Sequence, residues 1–164
     1  MKRYITEQQH QTSCGPVSVM NALKWLGYSA SYRENIQDFK EFGWSNASGM
    51  WPHQMHKALK SYGIKYKLHK KPTLALMKKI VNSGNALIFE YDWVDYTETG
   101  GHFIFIDYYN SIGRGFFNAY NYKQGFETGM LGQIYVAACL TASKMVRKNA
   151  KKGRKCAYVW EIIK

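Results

Sequence analysis

The stretch QQHQTSCGPVSVMNALKWLG, from Gln8 to Gly27, decides how the N-terminal part of the chain folds. Ser13 is a residue type that caps helices, and Pro16 is readily accepted in a first helical turn. Apolar residues then recur at helical spacing until the glycine, which is a typical C-terminal cap. The pattern therefore predicts a helix whose first turn carries Cys14.

A cysteine at the N-terminus of a helix is well placed to act as a nucleophile. The reactive species is the thiolate, and the positive end of the helix dipole lowers the pKa of a thiol. Such a nucleophile also needs a histidine that accepts the thiol proton and later returns it to the leaving group. We therefore expect Cys14 to have a lowered pKa and a histidine partner elsewhere in the chain.

The sequence offers one candidate for each remaining part of such a site. His102 begins the predicted strand HFIFIDYY directly after two glycines, and Asn118 lies on the next strand. A hairpin between these strands would make the two residues neighbours, so Asn118 is predicted to orient the imidazole, with Asn121 as a second candidate. Gln8 lies six residues before Cys14, and its amide is expected to face the oxyanion.

The remaining pattern predicts helices first and strands afterwards, which is an α+β order. Further helices are predicted over residues 31–42, 52–63 and 73–84, and strands over 64–69, 86–93, 100–109, 113–121 and 156–163. Neither an internal repeat nor a linker-like segment interrupts this order. We therefore expect one domain spanning residues 1–164.

The charge and the cysteine content indicate which partners and which cellular compartment to expect. The chain carries 23 Lys and Arg against 11 Asp and Glu, a net charge of +12, and residues 144–155 hold seven of these cations. This basic run permits contact with an acidic partner or with nucleic acid, although no nucleic-acid motif accompanies it.

Three cysteines argue against a disulfide framework, and no apolar run resembles a signal peptide or membrane span. We expect a cytoplasmic protein without a membrane partner.

Two histidines raise the question of a metal site. His53 and His56 lie three residues apart on a predicted helix, but no third ligand accompanies them in the sequence. A solvated helix face is the preferred interpretation. We expect neither a metal nor a cofactor.

With these residues in place, the chain resembles the papain-like bacterial cysteine peptidases, in particular the bacteriocin-processing, double-glycine-leader peptidases and their stand-alone relatives. The resemblance rests on QQHQTSCGPVSVMNALKWLG, on SGMWPHQMHKALKSYGI, and on LMKKIVNSGNALIFEY followed by GGHFIFIDYY. It implies a papain-like α+β fold, in which an N-terminal helical part packs on a C-terminal antiparallel sheet. It also implies a peptide or protein substrate, with Cys14 as nucleophile, His102 as general base and acid, and Gln8 as oxyanion donor.

The orienting residue departs from the family pattern. The family usually has Asp, often followed by Pro, where this chain has Asn118 and Ala119. Asn orients the imidazole in papain itself, so a Cys-His-Asn peptidase with an acyl-enzyme remains the leading hypothesis. The alternatives are a papain-fold acyltransferase, deamidase or transpeptidase, and a catalytically inactive binding protein that uses the basic surface.

Overall fold

The computed structural model describes residues 12–70, 72–94, 99–110, 116–120 and 158–164. Four helices come first along the chain, and the strands follow with one exception, β1, which lies between the last two helices. The elements are α1 (Cys14–Trp25), α2 (Tyr32–Glu41), α3 (Pro52–Ser61), β1 (Tyr66–Lys70), α4 (Leu74–Asn82), β2 (Ala86–Val94), β3 (Thr99–Asn110), β4 (Phe116–Tyr120) and β5 (Tyr158–Ile162). Each begins and ends within three residues of its predicted bounds, and the α+β class is confirmed.

The strands form one antiparallel sheet in the order β1-β5-β2-β3-β4. The longest ladder joins β2 to β3 and runs from Leu87 opposite Ile106 to Val94 opposite Thr99. β5 lies between β1 and β2, so the last strand of the chain completes the middle of the sheet. The sheet therefore joins the N-terminal and C-terminal parts of the chain, while the one-domain organisation over residues 1–164 stays a prediction.

Side chains on the two faces of the sheet contribute to two separate cores. Alternate residues of β2 and β3 such as Ile88 and Phe103 pack with α1 and α3, whereas Leu87 and Ile104 pack under α4. This division arises because successive side chains along a strand point to opposite faces of the sheet. Because both faces of β2 and β3 are covered here, residues 86–89 and 103–106 are continuously apolar instead of alternating.

Helix α1 is the element that brings the candidate nucleophile to the sheet. All of its residues from Cys14 to Leu23 are buried, and the helix packs mainly against β3. Gly27, with a φ of 96°, allows the chain to turn away after the helix. The first turn of α1 is thus part of the core instead of a solvent-exposed helix end.

Several predicted features lie outside the described residues. These are Gln8, Asn121, the basic run at 144–155, and the cysteines Cys139 and Cys156. In the described part of the chain, no helix is long and apolar enough to span a bilayer. The same residues contain no cluster of three or more His, Cys, Asp or Glu side chains suited to a metal ion.

Candidate active site

Cys14 is the first residue of α1, and its side chain is only 7% exposed. Backbone N–H groups of Phe103 and Gly15 are directed at its sulfur and lower the pKa of the thiol. The thiol is therefore docked onto β3 from the start of α1.

The residue immediately before Phe103 is His102, the predicted base. The peptide N–H that meets the Cys14 sulfur belongs to the bond joining His102 to Phe103. Side chains of neighbouring strand residues point to opposite faces, so Phe103 has the phase that faces α1, whereas His102 has the phase of Ile104, which packs under α4. His102 is half-buried, and it pairs with Tyr91 on β2.

Burial controls the protonation of both candidate groups. It raises the pKa of the Cys14 thiol, the backbone hydrogen bonds offset this only in part, and the charge of Glu90 adds to the rise. Burial also lowers the pKa of His102 to about 4. The expectation of a lowered thiol pKa is therefore wrong for the resting protein, because desolvation outweighs the helix N-terminus. At neutral pH the two groups are a thiol and a neutral imidazole.

The loop at residues 44–51 fixes the chain just before the nucleophile. The indole Nε1 of Trp44 donates a 2.9 Å hydrogen bond to the carbonyl oxygen of Thr12, whose hydroxyl donates to the carbonyl of Asn46. Met50 packs so closely on Gly15 that a Cβ there would lie 2.6 Å from the Met50 sulfur. This contact gives a physical reason for glycine next to Cys14, because only a residue without a side chain fits under the loop.

Glu90 on β2 is a charged residue near the thiol that sequence reasoning missed. It is 7% exposed and pairs across the sheet with Phe103. A signal for it was present, since Glu90 follows Ala86 and Ile88 at the strand period of two. Its place in an otherwise apolar buried strand marks it as a carboxyl that points into the core.

The position of Asn118 differs from the expected one. β4 pairs Ala119 with Ile106 and Phe117 with Tyr109, and an irregularity separates the two pairs. Asn118 therefore lies alongside the two residues between Ile106 and Tyr109, about 15–20 Å along the strand from His102. This register weighs against Asn118 as the orienting residue, and its role stays a prediction.

His56 has defined partners in the fold. Its Nδ1 lies 3.0 Å from the hydroxyl of Tyr66 and 3.3 Å from the indole nitrogen of Trp160. Burial lowers its pKa, with a further contribution from nearby cations. The solvated-face interpretation is wrong for His56, whereas His53 is exposed as expected.

The arrangement of the described residues is that of the papain-like cysteine peptidases, in which a helix-borne cysteine docks on an antiparallel sheet. The family model described as "Peptidase_C39 like family" matches residues 2–129, well over half of the chain. The chain therefore belongs to the Peptidase C39-like family, and it is a cysteine peptidase-like hydrolase. No match was found among curated proteins. The resemblance inferred from the sequence is confirmed.

Proposed function

We propose that the protein cleaves a peptide or isopeptide bond of a protein substrate, with Cys14 as nucleophile and His102 as general base and acid. The observation that carries the proposal is the hydrogen bond from the Phe103 N–H to the Cys14 sulfur. It supports this pairing because the donor N–H belongs to the peptide bond that follows His102. Membership in a cysteine peptidase family supports the same assignment.

The reaction begins with the neutral pair. The thiol proton of Cys14 passes to the imidazole of His102 while the sulfur forms a bond to the scissile carbonyl carbon. The carbonyl π electrons move to the oxygen and give a tetrahedral oxyanion. When this species collapses, the C–N bond breaks and the amine takes the proton from the imidazolium. The imidazole then activates water, which hydrolyses the thioester and regenerates the thiol.

The oxyanion needs donors that are already in place. The side-chain amide of Gln8 is the proposed donor, together with the backbone N–H of Cys14. Gln8→Ala should lower the turnover rate by about a hundred- to a thousand-fold, as expected for the loss of one such donor. Gln8→Glu is the matched variant, because it keeps the size of the side chain and removes the N–H donors.

The described register of β4 supports Asn121 over Asn118 as the residue that orients His102. Tyr120, the last residue of β4, pairs with Phe105, three residues from His102. Asn121 follows Tyr120 directly, and β4 runs antiparallel to β3, toward its His102 end. Asn121→Ala should therefore lower turnover strongly, whereas Asn118→Ala should have the smaller effect. The reverse order would restore the assignment of Asn118.

The first test of the proposal is covalent labelling by a peptide that carries an electrophilic carbonyl group. Intact-mass measurement should show one adduct, and peptide mapping should locate it on Cys14. Cys14→Ala should abolish both the adduct and turnover of a peptide library. Since the substitution removes one buried sulfur, circular dichroism should confirm that the helices persist.

His102→Gln should also prevent labelling and turnover, because the thiol then has no base. His53→Gln is the matched control, since His53 is an exposed histidine on α3. Normal labelling and turnover in His102→Gln would exclude His102 as the base. A folded wild-type protein that shows no adduct and no turnover, yet binds peptides tightly, would favour the inactive binding protein.

A further inference from the structure

His56 on α3 is a half-buried histidine to which the proposed mechanism gives no role. Its Nδ1 atom lies 3.3 Å from the indole nitrogen of Trp160 on β5 and 3.0 Å from the hydroxyl of Tyr66 on β1. An indole nitrogen carries a hydrogen and is only ever a donor. Nδ1 is therefore the acceptor, and the resting imidazole is neutral with its proton on Nε2.

Protonation of this imidazole would affect its two partners differently. With a proton on Nδ1, the hydroxyl of Tyr66 can rotate and accept where it donated before. The indole of Trp160 has no such alternative, because two N–H groups would then face each other. Trp160 is fully buried, and a buried donor without an acceptor costs free energy. The hydrogen bond from Trp160 is thus the contact of this cluster that an added proton breaks.

The surroundings of His56 disfavour the added proton. The titratable groups that share this face of the sheet with it are His53 and Lys60 on α3, Lys70 and Tyr66 on β1, and Tyr158 on β5. Burial lowers the pKa of His56 from 6.5, and the nearby cations add to this effect. Among the described residues, no carboxylate acts on His56. The hydrogen bond from Trp160 is therefore intact at neutral pH and is lost only in acid.

Two ring contacts connect His56 with the strand residue beside the nucleophile. The ring centroids of His56 and Trp160 are 5.5 Å apart, and those of Trp160 and Phe103 are 5.8 Å apart. Trp160 and Phe103 belong to the same core as Cys14, and the backbone N–H of Phe103 is directed at the Cys14 sulfur. Because a close-packed core transmits strain, a shift of the Trp160 ring displaces Phe103.

We infer that His56 is a positioning residue, which in its neutral form holds the Trp160 indole and thereby keeps Phe103 where its N–H meets Cys14. Protonation of His56 releases the indole and loosens this contact. The inference rests on the proposed function of Cys14 as nucleophile. Loss of turnover in acid then has two sources, the protonation of His56 and that of His102, whose pKa is about 4.

The first test follows the indole N–H of Trp160 by nuclear magnetic resonance in the full chain labelled with ¹⁵N. The signal is assigned by its absence in Trp160→Phe. In wild type it should shift as the pH falls below 6.5, because the indole loses its acceptor. In His56→Asn it should stay constant, since an amide oxygen near the place of Nδ1 accepts the same hydrogen bond and takes up no proton.

His53→Asn is the matched control, because it removes an exposed histidine of the same helix. The indole signal of this variant should still titrate. Its midpoint should be no lower than that of wild type, since a positive charge near His56 is lost.

The second test is the pH profile of turnover on one fluorogenic peptide. Relative to its own rate at neutral pH, His56→Asn should retain about three- to tenfold more turnover in mild acid than wild type does. A purely structural role of His56 would lower the rate by the same factor at every pH. His56→Leu removes the acceptor, so it should lower turnover about three- to tenfold already at neutral pH. If this variant does not fold, His56→Asn still provides the comparison.

An indole signal that does not titrate in wild type, or that titrates equally in His56→Asn, would overturn the inference. Superimposable pH profiles of turnover in these two proteins would also overturn it. Failure of the peptidase proposal is seen separately, as turnover that persists in His102→Gln. If wild type has no turnover, the rate of Cys14 alkylation by iodoacetamide replaces it as the readout. Equal pH profiles of alkylation in wild type and His56→Asn would then contradict the positioning role.

Discussion

The same sheet holds two groups that each combine a histidine with a glutamate, and their environments give them opposite properties. At the junction of β1 and β5, His69 Nε2 lies 2.7 Å from a carboxylate oxygen of Glu161, and Asn85 donates a 2.8 Å hydrogen bond to the other oxygen. At the start of α1, Glu90 on β2 acts on Cys14, and His102 lies on β3 directly before Phe103, the residue that contacts the sulfur. Similar residue types thus form a hydrogen-bonded pair in one place, and in the other a group in which burial favours the uncharged thiol and imidazole.

Burial and partner geometry explain the difference. Burial raises the pKa of the Glu161 carboxyl, but hydrogen bonds from His69 and Asn85 outweigh it and hold the pKa below its usual value. For Cys14 and His102 burial is the largest effect, and it favours the uncharged form of each group. At the β1–β5 junction hydrogen bonds therefore outweigh burial, whereas at the start of α1 burial outweighs the hydrogen bonds.

The largest expected effect distinguishes the two histidines by activity. His102→Gln should lower turnover by about a thousandfold or more, because the general base is lost. His69→Gln should leave turnover within about twofold, since His69 is bonded to Glu161 on the β1–β5 side of the sheet. Steady-state kinetics on one fluorogenic peptide would measure both variants. Similar losses in the two variants would show that the comparison between a reactive and a structural pair is mistaken.

The next effect distinguishes the two groups by acid stability. His102 has a pKa of about 4 in the folded protein against 6.5 for an ordinary histidine, so the unfolded chain binds its proton more readily. The stabilisation from the neutral imidazole is present above pH 6.5 and is lost as the pH falls toward 4, by at most about 3 kcal/mol. The pKa of Glu161 is lowered from 4.5, so its contribution is lost only below that pH. Urea unfolding at a series of pH values across this range would separate the loss of stability due to His102 from the loss due to Glu161.

The control for this prediction is the histidine variant itself. His102→Gln should have a flatter dependence of the free energy of unfolding on pH between about 6.5 and 4, because position 102 no longer takes up a proton on unfolding, while His56, whose pKa is also lowered, keeps its own contribution. Glu161→Gln should retain the wild-type dependence in that window and lose it below pH 4.5. An unchanged profile in His102→Gln would mean that the imidazole is not desolvated.

Most of the fold could be predicted from local signals. The capping types, the apolar repeats and the terminal glycines located the four helices, and apolar runs between glycines located the strands. Cys14 and His102 were chosen from the chemistry that each position allows, and their roles stay predictions. The position of β5 in the middle of the sheet could not be predicted, because pairing partners far apart in the chain leave no local pattern.

What the sequence could not specify about the site depends on register and depth of burial. The register of the β3–β4 hairpin, with Ala119 opposite Ile106, places Asn118 well along β3 from His102, and the hairpin sequence does not specify this register. The thiol pKa was expected to fall because the sequence reveals a helix N-terminus but not that the turn is buried. Glu90 was missed because β2 is largely apolar and covered on both faces, so its sequence pattern did not show that this charged residue faces the core.

A smaller effect concerns the packing that holds Cys14 in place. Gly15→Ala would put a Cβ 2.6 Å from the sulfur and 2.7 Å from the Cβ of Met50. The sulfur of a methionine moves easily, but its Cβ is fixed by the backbone, so the loop at 44–51 must shift. We expect a loss of about 1–3 kcal/mol in the free energy of unfolding, measured by urea denaturation. Met50→Ala removes the side-chain sulfur that the new Cβ would meet. In the double variant Gly15→Ala/Met50→Ala, the loss in the free energy of unfolding should therefore be smaller than the sum of the losses in the two single variants.

The smallest effect is expected at the paired carboxylate. Glu161→Gln keeps an acceptor for Asn85 but removes the charge that faces His69, and both partners are 15% exposed. Because solvent partly screens the pair, the free energy of unfolding at neutral pH should fall by only about 1 kcal/mol. A double-mutant cycle with His69→Gln would isolate the interaction, and the coupling should weaken as salt is added. If the coupling stayed constant as salt is added, the contrast between this partly exposed pair and the buried group at the start of α1 would fail.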